Sequence, residues 1–354
     1  MKKNVVIAAG GTGGHISPGI ALAEAIHKQK NKLFIESVFI HTLNKNKDNP
    51  DFKNTNCDIL YHNTPSISHE KLFFPFLFIL DLFQTIFYFI KLKINVVIAM
   101  GGYSSLPAIL YAILFCKELY LCEQNCIPGK VNRIFFRFAK KIAFSFPPSI
   151  PSKNLSYKVI GNPVREKVVP SVNYNFEQKL HTKKMNILAM GGSQGARQIN
   201  NMISKLLEDD DLLEYYNVRI ISGANLYNET KEAVGKKEVE VLAYSDDMKA
   251  QFEWAHIVVA RSGAGVLAEC ALYGLFLILV PYPFAADNHQ EANAKYFENL
   301  GVKVLYQKDE DIQQLKQIFL HLKSNKQELL TVSKNLGTIA NPKAAEETIH
   351  YFFK

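Results

Sequence analysis

The sequence predicts an α/β protein of two Rossmann-like domains, each with a parallel sheet, which face each other across a cleft. Two segments, Asn4–His15 and Asn186–Arg197, share one pattern, in which a short apolar run ends in glycines and then opens an amphipathic helix. This arrangement presents backbone N–H groups and a helix N-terminus to a phosphate. Because the two clusters stand half a chain apart, each half of the 354 residues is expected to form one domain, with transfer chemistry between them.

The first half alternates strands and helices, which is typical of a parallel sheet with crossover helices. Two of its strands lead into glycine-rich or polar loops, Gly101–Ser105 and Glu123–Asn125, and Pro18 stands near the first turn of the first helix. The predicted elements are strands over residues 4–9, 95–100 and 119–122, a helix over 17–30 and a helix from about residue 107.

A segment with five prolines and little periodicity, residues 145–170, marks the hinge between the domains and includes Gly161–Arg165. The second half repeats the strand and helix pattern, with strands predicted at about 185–190, 217–222, 239–242, 257–260 and 277–280. The chain is therefore divided into an N-terminal domain over 1–160 and a C-terminal domain over 161–342. A final helix, at about 343–354, is expected to pack back on the first domain.

The chain is basic, with a net charge of +8 and a pI of about 9.0. This charge favours an anionic partner, such as nucleic acid, a phosphorylated substrate or an acidic membrane surface, although a generally basic proteome gives the same value. Five cysteines are too few for a disulfide scaffold and fit a reducing cytosol. Cys122 and Cys126 lack partners at zinc spacing and are predicted to be structural. The first residues lack the apolar core of a signal peptide.

The most apolar stretch, Leu72–Ile90, is interrupted by Pro75, Asp81 and Gln84. A membrane-crossing helix needs about 20 continuous apolar residues, so a span is not expected. Two interpretations stay open: a helix buried in the core, and a helix whose apolar face dips into the bilayer interface between flanking lysines. The density of phenylalanine exceeds what an ordinary surface helix needs, which favours the interfacial helix.

The first glycine cluster formally overlaps the dinucleotide pattern G-x-G-x-x-G, which is weak by itself. The next strand shows no clear carboxylate at its end, about 20 residues on, to hold a ribose. A nicotinamide-dependent oxidoreductase is therefore disfavoured. His15 follows the glycines directly, where its ring would face the cleft, and is either a structural or a catalytic histidine.

Two polar clusters in the second half follow buried strands, where α/β folds bind their ligands. In Arg261–Glu269, small residues open a helix beside a place for a diphosphate, and Glu269 is predicted to hold a ribose diol rather than only to complement the helix dipole. In Asp287–Asn293, amide and imidazole groups suit a neutral polyol such as a sugar, although a capped surface helix is the simpler alternative. The predicted ligand-binding residues at the start of the Arg261–Glu269 helix are Ala264, Gly265, Val266 and Leu267.

No metal site or cofactor is predicted. The acidic strings Asp209–Asp211 and Asp309–Asp311 stand where helices begin and are more simply helix caps than ligands of a divalent ion. The charge of a leaving group would then be met by helix N-termini and Arg165.

Together these segments resemble the MurG family, the bacterial N-acetylglucosaminyltransferases that convert lipid I to lipid II in peptidoglycan synthesis. The resemblance runs in order through both halves of the chain. The matching segments are Gly10–His15 with Pro18–Gly19, Gly101–Tyr103, Glu123–Asn125, Pro128–Gly129, Gly161–Arg165, Gly191–Arg197, Arg261–Ala264 with Glu269, and Asp287–Asn293.

The resemblance implies the glycosyltransferase B fold and a metal-independent, inverting transfer. UDP-N-acetylglucosamine would bind mainly to the second domain, and lipid I would reach the first domain from the membrane. By this resemblance, Ser193 and Arg165 would contact the donor diphosphate, the main chain at Ser245 would bind uracil, and Glu269 would hold the ribose. Asn125 and Gln290 would contact the N-acetylglucosamine. Thr12, Gly13 and Gly14 would line the catalytic cleft.

The resemblance also implies a base that takes the proton from the C4 hydroxyl of the muramyl sugar. That oxygen attacks the anomeric carbon opposite UDP, so an α-linked donor gives a β-linked product. His15 is the first candidate for the base and Glu123 the second. Three positions depart from the family pattern: Cys122 replaces a common His, Val266 replaces a residue that often carries a hydroxyl, and His289 stands where some members have Gln.

The resemblance implies a peripheral protein that binds an anionic lipid surface at the cytoplasmic face of the inner membrane. It implies no nucleic-acid partner. Proteins of cell-wall synthesis are possible partners, and the implied process is cell-wall biogenesis, with cell shape, the cell cycle and cell division depending on it. Two alternatives stay open. One is a related UDP-sugar glycosyltransferase with another lipid acceptor, and the other is a non-catalytic, basic membrane-binding protein.

Overall fold

The computed structural model describes residues 2–11, 13–53, 55–65, 74–149, 155–192, 195–208, 211–307 and 311–354. The chain divides into two units, the first formed by Met1–Glu166 with Asn341–Lys354 and the second by Lys167–Ala340. The predicted division after residue 160 lies slightly earlier than this one, so Gly161–Arg165 belongs to the first unit.

The described part of the first unit contains a parallel sheet of seven strands. The strands are β1 Lys3–Ala8, β2 Ile35–Leu43, β3 Asp58–His62, β4 Ile94–Ala99, β5 Glu118–Glu123, β6 Lys141–Phe144 and β7 Tyr157–Val159. Their order across the sheet is β3-β2-β1-β4-β5-β6-β7, so the direction of winding reverses between β1 and β4. In open α/β sheets, ligands bind outside the carboxyl ends of the strands at such a reversal.

Helices cover both faces of this sheet. They are α1 Gly13–Gln29, α2 Phe74–Lys91, α3 Leu106–Leu114, α4 Lys130–Phe135 and, from the end of the chain, α14 Ala344–Phe353. On one face, α1 and α14 share a core with the inward side chains of β1, β2 and β4. There the Phe352 ring stacks on Tyr120 of β5 with centroids 4.7 Å apart. On the other face, α2, α3 and α4 pack against a second apolar cluster.

The second unit repeats the plan with a parallel sheet of six strands among the described residues. Its strands are β8 Met185–Met190, β9 Tyr216–Ile221, β10 Glu240–Leu242, β11 Ile257–Ala260, β12 Phe276–Leu279 and β13 Lys303–Val304. Its helices are α5 Phe176–Lys179, α6 Arg197–Leu206, α7 Asp211–Tyr215, α8 Tyr227–Val234, α9 Met248–Trp254, α10 Ala264–Leu272, α11 His289–Glu298, α12 Asp311–Ser324 and α13 Lys326–Gly337. The order β10-β9-β8-β11-β12-β13 reverses between β8 and β11. The prediction of two Rossmann-like domains with parallel sheets is confirmed.

The start of α1 differs from its prediction. The helix begins at Gly13 and not at residue 17, so Pro18 lies inside it and not near its first turn. The glycine loop therefore passes directly into helix, and His15 stands in the first turn. The first N–H groups of a helix have no acceptor within the helix. In α1 these groups belong to the glycine-rich segment that begins the helix at Gly13.

Helix α2 buries two polar side chains and leaves most of its large apolar side chains exposed. Its buried residues are Asp81, Thr85 and Phe89, spaced four apart on one stripe. The exposed side carries large apolar side chains: Phe76, Ile79, Leu80, Phe83, Phe87, Tyr88 and Ile90. A core helix buries such side chains, so the buried-helix interpretation of this stretch is wrong. By length and composition alone the helix could cross a membrane, but a crossing helix would have to give up the bonds of Asp81 to the sheet.

Those bonds form a buried cluster of His41, His62, Thr64 and Asp81. The Asp81 carboxylate accepts hydrogen bonds from the Thr64 hydroxyl at 2.5 Å and from the Asn63 backbone N–H at 3.0 Å. His62 Nδ1 lies 3.2 Å from the same carboxylate, and the His62 ring stacks on His41 with centroids 3.9 Å apart. These hydrogen bonds hold the pKa of Asp81 below its ordinary value although burial opposes them. The cluster therefore fixes which side of α2 faces the sheet.

We expect His41 to make folding stability depend on pH. Burial and the neighbouring His62 hold the pKa of His41 well below its ordinary value. As the pH falls through about 6.5, this histidine therefore becomes protonated in the unfolded chain but stays neutral in the folded chain. Stability is therefore complete above this pH and falls below it, with a slope approaching about 1.4 kcal/mol per pH unit.

Urea unfolding between about pH 7.5 and pH 5.5 measures this slope. His41→Gln should reduce it relative to the unaltered protein, while buried His256 of the second unit contributes equally to both proteins. Equal slopes for the two proteins would show that His41 carries no such linkage.

Candidate functional site

In the first unit, the loops after β1 and β4 meet at the reversal of the strand order. A Cβ atom on Gly10 would lie 2.6 Å from Ser104 Oγ, and one on Gly102 would lie 3.4 Å from His15 Cε1. Gly101 and Gly102 both have positive φ angles, 94° and 75°, which let the second loop turn back toward the first. The structure thus brings half-buried His15 together with the glycine loops that follow β1 and β4.

Gly13 and Gly14 are the exposed first residues of α1 and present their N–H groups beside His15. Ser104, which the sequence did not single out, is buried between the loops. Its hydroxyl has no hydrogen-bond partner among the described atoms. Thr12, predicted to line the same place, lies outside the described residues.

Glu123 is the centre of a hydrogen-bonded loop. It is 3 % exposed. One oxygen accepts from the backbone N–H of Asn125 at 3.0 Å and the other from that of Gly129 at 2.9 Å. The second oxygen also accepts from Asn132 Nδ2 at 2.8 Å. Burial raises the pKa of Glu123, and these hydrogen bonds oppose the rise.

A carboxylate in this state is poorly placed to take a proton from a substrate, because it is buried and held by three internal hydrogen bonds. Glu123 instead shapes the loop that presents Asn125, which is half-buried. Of the two predicted bases, the geometry therefore favours His15. Cys122, which precedes Glu123 on β5, is buried, and burial raises the pKa of its thiol.

Arg165 lies buried within the first unit and binds two carboxylates. Its guanidinium contacts Glu24 of α1 at 3.0 Å and Asp51 at 2.7 Å. Its predicted contact with a diphosphate would require it to exchange these partners, and it stays a prediction.

In the second unit, the loop after β8 is held by close main-chain approaches. A Cβ on Gly191 would lie 2.0 Å from the backbone nitrogen of Ala196, and one on Gly195 would lie 2.0 Å from the Ser222 carbonyl oxygen. Neither position can carry a side chain without moving the backbone. Ser193, the predicted diphosphate contact in this loop, lies outside the described residues.

Helix α10 begins next to that loop, at the reversal between β8 and β11. Ala264, Gly265 and Val266 form its first turn, and the Leu267 N–H makes the first bond back, to the Gly263 carbonyl at 3.1 Å. A Cβ on Gly263 or on Gly265 would meet nothing within 4 Å, so the space in front of the turn is open. These N–H groups and the helix dipole suit an anion. Leu267 closes the turn and does not face the open space, because its side chain is buried and its N–H is bonded to Gly263.

Gln290 joins the loop after β12 to this site. Its Oε1 accepts from the Tyr282 backbone N–H at 2.9 Å, and its carbonyl oxygen accepts from Ser262 Oγ at 2.7 Å. Asn293, which the sequence placed in the same polyol-binding cluster, is fully buried and donates to the Ser262 carbonyl at 3.1 Å. Asn293 is therefore structural, whereas Gln290 lies at the edge of the open space.

Glu269 and Ser245 are half-buried in the second unit. Glu269 lies in the second turn of α10. Ser245 Oγ accepts a hydrogen bond from Gln251 Nε2 at 3.1 Å. The main chain of Ser245 is therefore the part of this residue that is left to bind the predicted uracil. The neighbouring Tyr244 ring is 48 % exposed and could cover a flat ring. Sequence reasoning missed it because a single tyrosine after a short strand carries no pattern.

Among the described residues, no group of three or more His, Cys, Asp or Glu side chains is arranged to hold a metal ion. The string Asp309–Asp311 lies mostly outside those residues, and Asp311 is the first residue of α12. Metal independence stays a prediction.

Comparison with known proteins gives consistent matches over the whole chain. Residues 5–144 match the glycosyltransferase family 28 N-terminal domain, and residues 186–348 match the C-terminal domain of that family. The chain is 46 % identical over 355 residues, 99 % of each chain, to the UDP-N-acetylglucosamine–N-acetylmuramyl-(pentapeptide) pyrophosphoryl-undecaprenol N-acetylglucosamine transferase of Leptospira interrogans serogroup Icterohaemorrhagiae serovar copenhageni.

The protein of the same name from Coxiella burnetii is 30 % identical and covers 98 % of this chain and 96 % of its own. Among solved structures, MurG from Acinetobacter baumannii superposes with a TM-score of 0.80 at 26 % identity, covering 99 % of both chains.

We expect Glu123→Gln to destabilise the first unit by about 1–3 kcal/mol, because the new NH₂ group must face N–H donors that the carboxylate now accepts. Urea unfolding measures the loss. Glu36→Gln, at an exposed carboxylate on β2, is the matched control and should leave stability within about 0.5 kcal/mol. Equal stability of the two variants would contradict the account of Glu123.

Proposed function

Because this chain belongs to glycosyltransferase family 28, we propose that it transfers N-acetylglucosamine from UDP-N-acetylglucosamine to the C4 hydroxyl of lipid I and so forms lipid II for peptidoglycan synthesis. The predicted resemblance to the MurG family is confirmed. The chain is a glycosyltransferase and has the glycosyltransferase B fold. Among observations on the fold itself, the proposal rests most on the open helix N-terminus and glycine loop at the strand reversal of each unit.

The second unit supplies the donor site. The first turn of α10, with Ala264, Gly265 and Val266, presents N–H groups to the diphosphate. Glu269 holds the ribose diol, and the main chain at Ser245 reads the uracil. Gln290, on the next loop, contacts the N-acetylglucosamine. The charge that develops on UDP as it leaves is stabilised by the helix N-terminus and by Arg165, without a metal ion.

The first unit supplies the acceptor site and the base. His15 takes the proton from the attacking C4 hydroxyl, and the oxygen then displaces UDP from the opposite face, which inverts the anomeric centre. The N–H groups of Gly13 and Gly14 lie beside it and favour negative charge there. Asn125 is presented by the loop that Glu123 organises.

The acceptor is lipid-linked, and the first unit carries an apolar surface that suits a membrane. Elements on the same face of the sheet expose further large apolar side chains: Leu114 at the end of α3, Phe115 next to it, Ile134 in α4 and Phe138 beyond α4. Exposed cations stand beside these residues: Lys91, Lys93, Arg133, Arg137 and Lys140. Arg137 lies over the Phe138 ring at 4.8 Å, so its charge and an exposed ring point to the same surface.

This apolar and cationic face binds anionic lipid on the cytoplasmic side of the inner membrane. Buried apolar area contributes about 25 cal/mol per Å² and each basic side chain about 1 kcal/mol. Proteins of cell-wall synthesis meet the enzyme there, and cell shape and division depend on its product.

The direct test is incubation with UDP-N-acetylglucosamine and a lipid I analogue, with and without EDTA. We expect UDP release and a β-linked disaccharide product in both cases. Donor turnover onto a diacylglycerol but not onto the lipid I analogue would instead identify the related glycosyltransferase with another lipid acceptor. Loss of turnover in EDTA, restored by magnesium, would contradict the metal-free mechanism.

We expect His15→Ala to lower kcat by about 10²–10⁴-fold, the usual contribution of general base catalysis, with little change in donor affinity. Glu123→Gln serves as the comparison, because a residue that only shapes the loop should lower kcat much less. An unchanged kcat in His15→Ala would remove His15 from the chemistry.

We expect Phe83→Ser to weaken binding to anionic vesicles about tenfold or more, because it removes an aromatic side chain that inserts into the interface. Phe34→Ser is the matched control: Phe34 and Phe83 are 70 % and 65 % exposed, but Phe34 follows α1, which packs on the opposite face of the sheet from α2. Vesicle sedimentation measures binding, and thermal unfolding measures stability. Equal vesicle binding by the two variants would contradict the assignment of α2.

A further inference from the structure

The loop between β12 and α11 carries two exposed aromatic rings. Phe284 is 82 % exposed and Tyr282 is 45 % exposed. The two rings meet edge to face, with centroids 5.7 Å apart. Loops often carry binding residues, and two exposed aromatic rings in contact form an apolar surface that a ligand can cover.

The loop that bears these rings is held at its base. Arg261 donates to the Val280 carbonyl at 2.9 Å and to the Pro281 carbonyl at 3.3 Å, and its guanidinium lies 5.4 Å from the centre of the Tyr282 ring. Gln290 Oε1 accepts from the Tyr282 N–H at 2.9 Å. The rings are therefore presented on a fixed support.

The other end of the loop turns sharply into α11. Asp287 and Asn288 have φ angles of 51° and 55°, in the left-handed region that Asp and Asn adopt more readily than other residues with a side chain. These two residues fix the turn by which the loop enters the helix.

We propose that the Phe284 ring, with Tyr282 against it, is the platform on which the apolar C–H face of the donor's N-acetylhexosamine packs. This inference rests on the proposed function and adds to it the surface that recognises the sugar. The Phe284 ring replaces the water over that face of the sugar and sets the angle of the anomeric carbon, while the polar edge of the sugar faces Gln290.

The position of the loop selects the sugar over the other parts of the donor. Ser262, which precedes α10, bonds to the Gln290 carbonyl, so this loop adjoins the helix N-terminus assigned to the diphosphate. The sugar is the group bonded to the far side of the diphosphate from the ribose. Ribose and uracil are assigned to Glu269 and Ser245, so the platform next to Gln290 is left for the hexose.

Calorimetry with UDP-N-acetylglucosamine and with UDP tests this proposal without any transfer step. In Phe284→Ala, we expect the dissociation constant for UDP-N-acetylglucosamine to rise about tenfold and that for UDP to stay unchanged. Phe284→Tyr should restore the affinity for the sugar nucleotide. Phe34→Ala, at an exposed phenylalanine of the first unit, is the matched control and should change neither constant.

Three outcomes would overturn the proposal. Unchanged affinity for both ligands in Phe284→Ala would mean that the ring does not touch the donor. Equal losses for both ligands would mean that it only orders the loop. A rise confined to the KM of the lipid acceptor would assign the ring to the acceptor. If the enzyme fails to transfer to lipid I while the difference between UDP-N-acetylglucosamine and UDP persists, the proposed function fails and the platform stands.

Discussion

The close approach of neighbouring atoms to the glycines at the two strand reversals is the constraint on which both candidate sites depend. Around Gly191 and Gly195 the neighbouring backbone atoms lie where a Cβ would have to be. In the first unit, Ser104 occupies the same kind of position against Gly10. Only a chain without side chains at these points can turn so tightly after the strand. The first N–H groups of α1 in the first unit and of α10 in the second lie at these reversals, and we propose that they bind anions.

A second constraint acts on the first unit, where α2 buries a carboxylate and exposes large apolar side chains. The buried carboxylate of Asp81 accepts hydrogen bonds from Asn63 and Thr64. Hydrogen bonds are directional, so they fix the rotation of the helix more strictly than apolar contacts would. The same hydrogen bonds therefore keep the aromatic side chains of α2 exposed, on the surface that we propose for lipid binding.

Periodicity and glycine pattern predicted the strands that are buried on both faces, such as β1, β4 and β8, because these are continuous apolar runs followed by glycine. They did not predict β2 and β3, where polar residues interrupt the run. His41 and His62 lie on these two strands, and their burial is understandable only once Asp81 of α2 is seen beside them. The start of α1 was also misplaced, because glycines and a proline conceal a helix in the sequence.

The candidate site shows the same division. The sequence identified the loops that meet at each reversal, because their position after strands is a local property. It could not distinguish His15 from Glu123 as the base, since the hydrogen bonds that occupy Glu123 come from residues up to nine positions away. Nor could it find Tyr282 and Phe284, whose exposure depends on how Arg261 and Gln290 pin the loop.

The central claim is that the glycine loops are ligand sites whose shape excludes side chains. Calorimetry of UDP-N-acetylglucosamine binding to Gly191→Ala tests it most directly, with Gly337→Ala as the control, since a Cβ on Gly337 would meet nothing within 4 Å. Circular dichroism would verify that both variants are folded. The account predicts that Gly191→Ala loses donor binding while Gly337→Ala retains it. Donor affinity in folded Gly191→Ala equal to that of the unaltered protein would contradict it.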